Sequence, residues 1–242
     1  MRLRNLLFAA AILPLAAQDP PAPLVQIYRE QIKPGKVAAY VRIEEAAARF
    51  CAKMNCPNPY FALISLTGPN EVWWINGFDS PETIEKVWQA YASSQEIMTE
   101  LNSIAENKAD LAFPANILLA KFHPEMSFYT TPVAPHYISM SIVHVRLSHV
   151  ANFRDMRIRF KSTLERAGRP QWAYQVTSGA EDVTFIVMTP ARTMQEIQTT
   201  PSLDDPSDIV VSSETRLYAV SPAMSLPAQS WVEADPDFWK RP

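Results

Sequence analysis

Five polar or aromatic side chains on three predicted strands have the types and spacing needed to bind a small molecule: Tyr28, Glu30, Trp74, Asn76 and His144. Side chains alternate between the two faces of a strand, so Tyr28 shares a face with Glu30, and Trp74 with Asn76. An aromatic wall with a few converging polar groups is typical of a small-molecule cleft. The same pattern also suits an interface between two sheets whose polar groups bond to each other. The sequence favours this second interpretation.

The histidines show no recognisable arrangement for metal binding or catalysis. His123, His136, His144 and His149 include no pair four residues apart and no HExxH motif, so no metal site is predicted. For a lone histidine a hydrogen-bonded structural role is the favoured interpretation. His144 is the candidate for a functional role, because it falls on a predicted core strand.

The two cysteines lie close together in the stretch CAKMNCPNP, as Cys51 and Cys56. In an exported protein such a pair predicts a disulfide, which would join the end of the first helix to the following loop. A pair of free thiols, and metal binding or redox catalysis, are the alternatives. A structural zinc site needs about four ligands, and no neighbouring His or Cys supplies the others.

The first 17 residues, MRLRNLLFAAAILPLAA, have the pattern of a secretory signal peptide, with Arg2 and Arg4 before a short apolar run. We expect cleavage after Ala17 and a soluble product exported to the periplasm or beyond the cell, with a buried N-terminal helix as the alternative. The rest of the chain has no stretch of the ~20 apolar residues that a membrane span needs. Without the leader, 20 basic and 25 acidic residues give a net charge of −5, so neither nucleic acid nor an anionic membrane is an expected partner.

The chain repeats its own pattern at an offset of 113 residues. The stretch LVQIYREQIKPGKVAAYVRIE, from Leu24, aligns with YISMSIVHVRLSHVANFRDMR, from Tyr137. In both copies apolar residues then recur at steps of three and four, which predicts an amphipathic helix, from Lys36 to about Met54 in the first copy. Glu44 and its neighbour Glu45 are assigned to the solvated face of this helix.

Each copy also ends alike, with HPEMSF in the first and SPAMSL in the second. His123 and Glu125 of the first copy invite a metal or acid–base interpretation. The second copy has Ser221 and Ala223 at these positions, while both keep the proline and the Met-Ser pair. The stretch is therefore interpreted as the end of a repeat.

Each copy reads as strand, helix, strand, strand, helix, strand, the order of a ferredoxin-like fold. The second helix is expected to begin at Ser80-Pro81 in one copy and at Thr189-Pro190 in the other, with a capping hydroxyl and an early proline. Such a sheet carries helices on one face, and a second sheet can cover the other. The sequence predicts an α+β protein with two tandem ferredoxin-like βαββαβ repeats, whose antiparallel sheets pack face to face as an intramolecular pseudo-dimer barrel.

The opening VQIYREQIKPGKVAAYVRIEE resembles the start of the dimeric α+β barrel superfamily, and is similar to NIPSNAP-like and antibiotic-biosynthesis-monooxygenase members. The resemblance covers both repeats as a pattern, and KPGK is its most specific piece, where the second copy reads RLSH. The superfamily includes cofactor-free monooxygenases, haem-degrading enzymes, peroxidases, lyases and proteins without known activity, so the resemblance does not select one function. A proximal haem ligand in this superfamily usually comes from a helix, and the predicted helices contain no clear interior histidine, so no cofactor is expected.

The predicted organisation runs from a leader to a tail: signal peptide 1–17, Pro-rich linker 18–23, first repeat 24–130, linker 131–136, second repeat 137–226 and tail 227–242. The aromatic residues of the tail, Trp231, Phe238 and Trp239, are expected to pack back on the domain. A role in surface assembly is the alternative.

Because no catalytic set emerges, the sequence favours an exported module that binds a small organic ligand or has a structural role, as a monomer or homodimer. The alternative is an enzyme of the cofactor-independent monooxygenase or lyase type, acting on a small organic substrate in a cavity between the sheets. The five side chains named at the outset would then be at its centre.

Overall fold

The computed structural model describes residues 21–130, 134–204 and 206–240. The predicted signal peptide and the first residues of the predicted linker lie outside the described residues. Within the described residues the strands are β1 Leu24–Gln31, β2 Tyr60–Ser65, β3 Glu71–Phe78, β4 Asn116–Phe122, β5 Tyr137–Val145, β6 Trp172–Ser178, β7 Thr184–Ala191 and β8 Val210–Leu226. The last strand, β8, has 17 residues.

The helices lie between these strands and after the last of them. They are α1 Val37–Met54, α2 Pro81–Ala92, α3 Gln95–Lys108, α4 Val150–Ala167, α5 Met194–Gln198, α6 Gln229–Ala234 and α7 Pro236–Trp239. Short 3₁₀ turns lie at Pro124–Met126 and Leu147–His149. Over the described part of the chain, none of the helices has the length and apolar character to cross a membrane.

The helix starts follow local capping chemistry. Ser80 caps α2 and Pro81 is its first residue, as the sequence predicts. The matching prediction at Thr189-Pro190 is wrong, because both residues belong to β7. The helix begins later, where the Thr193 side chain and Glu196 form a reciprocal capping box that satisfies two backbone N–H groups.

The strands form a closed antiparallel barrel in the order β1-β3-β2-β8-β5-β7-β6-β4, with β4 pairing back to β1. Two seams join early strands to late ones. At the first, between β2 and β8, Ala62 lies opposite Ser221; at the second, between β4 and β6, Lys121 lies opposite Gln175. Backbone hydrogen bonds therefore close the ring, in addition to the packing of the two sheet segments against each other.

The inside of the barrel is a packed apolar core. Alternate side chains of each strand point inward, so Val25 and Ile27 of β1 meet Trp73 of β3, Met140 of β5 and Tyr218 of β8 in one cluster. Removing such side chains from water is the main stabilising contribution to folds of this kind, at about 25 cal/mol per Å² of apolar surface.

One end of the barrel core carries a buried carboxylate, Glu71, which is 1% exposed. Its oxygens accept hydrogen bonds from Arg29 at 2.8 Å, from Arg216 at 2.6 Å and from the hydroxyl of Tyr218. Burial opposes ionisation, but these hydrogen bonds outweigh it and hold the pKa of Glu71 below its usual value. The Arg29 guanidinium also lies 5.0 Å from the ring centroid of Trp73.

The opposite end of the barrel is covered by the C-terminal tail. Trp231 of α6 stacks on Phe61 with ring centroids 5.0 Å apart, and Phe238 of α7 stacks on His136 at 3.9 Å. Asp235, between the two helices, is 2.9 Å from His136 Nε2 and 2.8 Å from Arg192 Nη2. The prediction that the tail packs back on the domain is confirmed.

Candidate functional site

Helices α1, α2 and α3 lie over the outer face of the β1–β3 sheet segment and leave a cavity of about 450 Å³. The register between β1 and β3 sets Tyr28 opposite Trp74 and Gln26 opposite Asn76. Glu30 lies two residues beyond Tyr28, on the same face of β1. The structure thus brings Tyr28, Glu30, Trp74 and Asn76 together on one cavity wall.

This cavity lies between the sheet and its helices, whereas the sequence predicts a cavity between the two sheets. The opposite face of β1 carries Val25 and Ile27, which are buried in the barrel core. Strand alternation correctly groups Tyr28 with Glu30. It does not show which of the two faces the helices will cover.

The rest of the cavity wall is mainly apolar and aromatic. It includes Ala47, Tyr60, Phe78, Val87, Trp88, Tyr91, Met98, Leu101 and Ile104. Trp88 of α2 is 56% exposed although it borders the cavity, so it stands at the opening to solvent. A planar apolar ring at that position can contact an aromatic molecule on its way in.

A charged cluster occupies one wall of the cavity. Lys108 Nζ, at the end of α3, donates to Glu30 Oε1 at 2.8 Å and to Glu44 Oε1 at 2.9 Å. Tyr40 donates its hydroxyl to the other oxygen of Glu30 at 2.6 Å. The ammonium also lies 5.1 Å from the ring centroid of Trp74, within the range of a cation–π contact. One lysine is thus shared between two carboxylates.

Burial and neighbouring charge shift the protonation of this cluster. Burial raises the pKa of Glu44, and the ammonium of Lys108 only partly offsets that rise. For Lys108, burial favours the neutral amine, but the carboxylates of Glu44 and Glu30 outweigh it and raise its pKa. Lys108 is therefore charged at neutral pH, and Glu44 is the member of the cluster that takes up a proton more readily than an ordinary glutamate.

Two tyrosines present hydroxyl groups to the cavity. Tyr28 donates to Gln26 Oε1 at 3.3 Å, and burial raises its pKa. Burial raises the pKa of Tyr91 on α2 as well, with a contribution from Tyr28. Both phenols therefore carry their protons at neutral pH and can donate hydrogen bonds to a bound molecule.

Amide groups line the part of the cavity nearest the end of α1. Asn58 Nδ2 donates to Asn76 Oδ1 at 3.3 Å, and Asn76 Nδ2 donates to the backbone oxygen of Gln26 at 3.3 Å. Cys51 borders the same cavity and is at disulfide distance from Cys56, with their Cα atoms 4.9 Å apart. A covalent link there fixes the loop that carries Asn58 against the helix.

His144 is not brought to this cavity. It lies on β5, in the other half of the barrel, where its Nδ1 is 3.1 Å from the hydroxyl oxygen of Thr184. The remaining histidines also have local partners: His123 lies 2.8 Å from Glu125, His136 bonds to the tail, and His149 Nδ1 lies 2.9 Å from the hydroxyl oxygen of Ser148.

Sequence reasoning missed Glu44, Lys108 and Asn58 as members of the site. The prediction of a solvated face is wrong for Glu44, which is 7% exposed. A signal existed, because Glu44 falls four residues after the buried Tyr40 and so belongs to the same helix stripe. Lys108 gives no such signal, since its contact with Glu30 spans 78 residues.

The cavity does not fit a haem group. Its described wall contains no histidine, and Cys51 is within disulfide distance of Cys56. The raised pKa values of Tyr28 and Tyr91 disfavour the phenolate form that would bind iron. Among the described residues there is also no group of three or more His, Cys, Asp or Glu placed to hold a metal ion.

Comparison with known proteins finds similarity only in three-dimensional structure. No protein-family model matches the chain, and no curated protein matches it. A solved structure from Lactobacillus acidophilus, to which a monooxygenase activity is ascribed, has 10% identity and a TM-score of 0.58, covering 86% of this chain and 97% of that one. A similarly ascribed protein from Fusobacterium nucleatum has 9% identity and a TM-score of 0.58, with coverage of 83% and 93%. A chlorite dismutase mutant from Candidatus Nitrospira defluvii has 8% identity and a TM-score of 0.53, with coverage of 91% and 98%.

The chain has the ferredoxin-like α+β barrel fold of these proteins. At such low identity the likeness establishes the fold only. The names of the matched structures, two with an ascribed monooxygenase activity and one chlorite dismutase, contradict the prediction of a binding or structural module rather than an enzyme.

Proposed function

We propose that this protein is an enzyme of the cofactor-independent monooxygenase or lyase type, with its small organic substrate bound in the helix-covered cavity. One observation carries the proposal: Lys108 stands between Glu30 and Glu44 on the wall of an apolar, aromatic cavity. Cavities with few converging polar groups and shifted pKa values are typical of active sites. The fold shared with proteins to which a monooxygenase activity is ascribed supports the same class.

Glu44 is the proposed general base. Burial raises its pKa toward the operating pH, which suits a carboxylate that must take a proton from a weakly acidic C–H or O–H group. When Glu44 takes the proton, the negative charge moves to the substrate, and the ammonium of Lys108 stabilises it. The net charge of the site stays constant, because the proton passes from the substrate to Glu44 within it.

The two reaction types share this first step and then separate. In the monooxygenase reaction the substrate carbanion reacts with dioxygen, the oxidant. A CH₂ group becomes a carbonyl, one oxygen atom enters the product, and the other leaves as water with the two hydrogens. In the lyase reaction the carbanion expels a leaving group from the neighbouring carbon and forms a double bond without consuming dioxygen. The protonated Tyr28 and Tyr91 donate hydrogen bonds to substrate oxygens in both.

The test compares two adjacent glutamates, only one of which faces the cavity. Glu44→Gln and the control Glu45→Gln are assayed with a panel of enolisable aromatic ketones and polyphenols, under air and under nitrogen. Dioxygen consumption and product mass are followed, with ¹⁸O₂ to trace the inserted atom. We expect Glu44→Gln to lower turnover by about 100-fold, the usual contribution of a general base, and Glu45→Gln to have little effect.

The outcomes separate the alternatives. Turnover that requires dioxygen supports the monooxygenase reaction, and turnover that persists under nitrogen supports the lyase reaction. Unchanged turnover in Glu44→Gln would refute the assigned base. No turnover of any compound, together with no retained ligand in native mass spectrometry, would count against the enzyme proposal itself.

A tandem repeat is part of the proposal, with repeats at 24–130 and 137–226, a linker at 131–136 and a tail at 227–242. Matching hydrogen bonds support it. Ser127 Oγ donates to His123 O at 2.7 Å and accepts from Ala173 N at 2.9 Å. In the second half, Ser225 Oγ donates to Ser221 O at 2.6 Å and accepts from Ala62 N at 2.9 Å. The NIPSNAP-like resemblance remains a prediction.

We also propose that the protein is exported, and that Cys51 and Cys56 are oxidised in the mature form. The leader pattern in residues 1–17 and the close approach of the two cysteines support this. Intact mass and N-terminal sequencing of the protein from its natural host would reveal cleavage after Ala17. An unprocessed N-terminus would refute export by this leader, and size-exclusion chromatography would separate monomer from homodimer.

A further inference from the structure

The barrel end under the C-terminal tail holds a second cavity, of about 340 Å³. Its wall includes Phe61, Ile75, Trp172, Tyr174, Met188 and Trp231. Tyr174 and Met188 are 2% and 1% exposed, so this barrel-mouth cavity reaches into the core of the barrel. The proposed active site lies on the outer face of the sheet, so the two cavities are on different sides of it.

The tail forms one wall of the barrel-mouth cavity. Trp231 of α6 is placed there by its stacking on Phe61, and Pro227, Ala228 and Ser230 border the same space. The tail is also anchored to the barrel at points outside the cavity, through the contacts of Asp235 and Phe238 described above. An aromatic side chain is therefore fixed over a space that the barrel itself leaves unfilled.

The chemistry of the wall restricts what can occupy it. Within the described residues, the only charged side chain of the wall is Asp79, which is exposed at the rim. An ion in this space would lose its hydration without gaining a partner, so the wall selects an uncharged molecule. Rings on several sides favour a flat aromatic molecule, through stacked and edge-to-face contacts. An apolar space left empty would forfeit the dispersion contacts of its lining.

We propose that the barrel-mouth cavity binds one uncharged aromatic molecule of one or two rings, beneath Trp231 and independently of the active-site cavity. The volume lies within the range of small-molecule sites. The bound rings contact Phe61, Trp172 and Trp231, and the apolar floor at Ile75 and Met188 excludes water.

The test uses prodan, an uncharged fluorescent probe with the two fused rings of naphthalene, whose emission rises in apolar surroundings. One matched pair of variants fills each cavity with the same side chain: Ala228→Phe at the barrel mouth and Ala105→Phe in the helix-covered cavity. The wild type is expected to bind one probe saturably. Ala228→Phe should weaken binding by about ten-fold or more, and Ala105→Phe should change it by less than about two-fold.

Two further variants guard against misfolding as an explanation. Thr130→Phe fills the barrel-mouth cavity from another part of its wall and should weaken binding as Ala228→Phe does. Trp231→Ala removes a stacking surface without filling the space and should weaken binding less. Circular dichroism checks each fold. The proposal is overturned if the wild type shows no saturable binding, or if Ala105→Phe abolishes binding while both barrel-mouth variants retain it.

Discussion

Replacing Lys108 by Met tests the charged cluster of the proposed active site most directly. The side chain keeps much of its volume and loses its charge, so Glu30 and Glu44 remain with no shared cation between them. Both carboxylates accept short hydrogen bonds from Lys108 Nζ, at 2.8 and 2.9 Å. The variant therefore leaves two partly desolvated negative charges facing each other across the cavity wall.

Removing one partner of a buried ion pair destabilises a protein by about 3–5 kcal/mol. The Lys108 side chain is 21% exposed, so water replaces part of the lost interaction and we expect a value near 3 kcal/mol at pH 7.5. Burial already raises the pKa of Glu44 in the folded state, and loss of the ammonium raises it further. A carboxyl group whose pKa is higher in the folded than in the unfolded protein destabilises the fold when it is ionised. This destabilisation grows as the pH rises from the unfolded-state pKa to the folded-state pKa. The loss of stability in Lys108→Met should therefore be smaller at pH 5 than at pH 7.5.

Urea unfolding followed by circular dichroism measures the free energy of unfolding at both pH values. The control is Lys86→Met, which removes an exposed lysine of α2 and should change stability by no more than about 0.5 kcal/mol. The reasoning would be refuted by a Lys108→Met loss that matches the control, or by an equal loss at pH 5 and pH 7.5.

Three further perturbations have expected outcomes. Tyr218→Phe removes one hydrogen bond from the buried Glu71 and should destabilise the protein by about 1–2 kcal/mol near neutral pH. Because the pKa of Glu71 in the folded protein lies below its usual value, this loss should shrink only as the pH falls through that lowered pKa; urea unfolding at pH 7.5 and pH 3 checks this. Reduction of the Cys51–Cys56 pair should lower the free energy of unfolding by about 2 kcal/mol, and an unchanged urea midpoint would contradict it. Asp235→Asn weakens the anchoring of the tail and should speed its cleavage in limited proteolysis, with the barrel fragment intact; unchanged cleavage would argue against that anchor.

The periodic features of the chain were predictable from the sequence, and the contacts between distant segments were not. Period-two alternation grouped Tyr28 with Glu30, and the helix stripe identified the buried face of α1. His144 was added to them because it falls on a predicted core strand, and the sequence does not say in which part of the barrel that strand lies. Lys108 gave no signal, since only the packing of α3 brings it to Glu30.

The proposed function could not be predicted from periodic patterns or short motifs in the sequence. Composition and motifs favoured a module without activity, because the proposed catalytic cluster is assembled from β1, α1 and α3 and leaves no short motif in the chain. The relevant carboxylate, Glu44, looked like an ordinary surface residue of an amphipathic helix. Its position four residues after Tyr40 was the one sequence signal that set it apart from Glu45, and its burial beside Lys108 is visible only in the structure.

The two seams of the barrel have a consequence for how the chain is made. Each seam pairs strands far apart in the sequence, such as Ala62 with Ser221, about 160 residues away. Until β8 and β6 are available, β2 and β4 are edge strands with open hydrogen-bonding groups, and such edges recruit other chains. Contacts this distant also slow folding. A chain interrupted before residue 137 should therefore aggregate, and chaperones that shield strand edges should raise the yield of the complete protein.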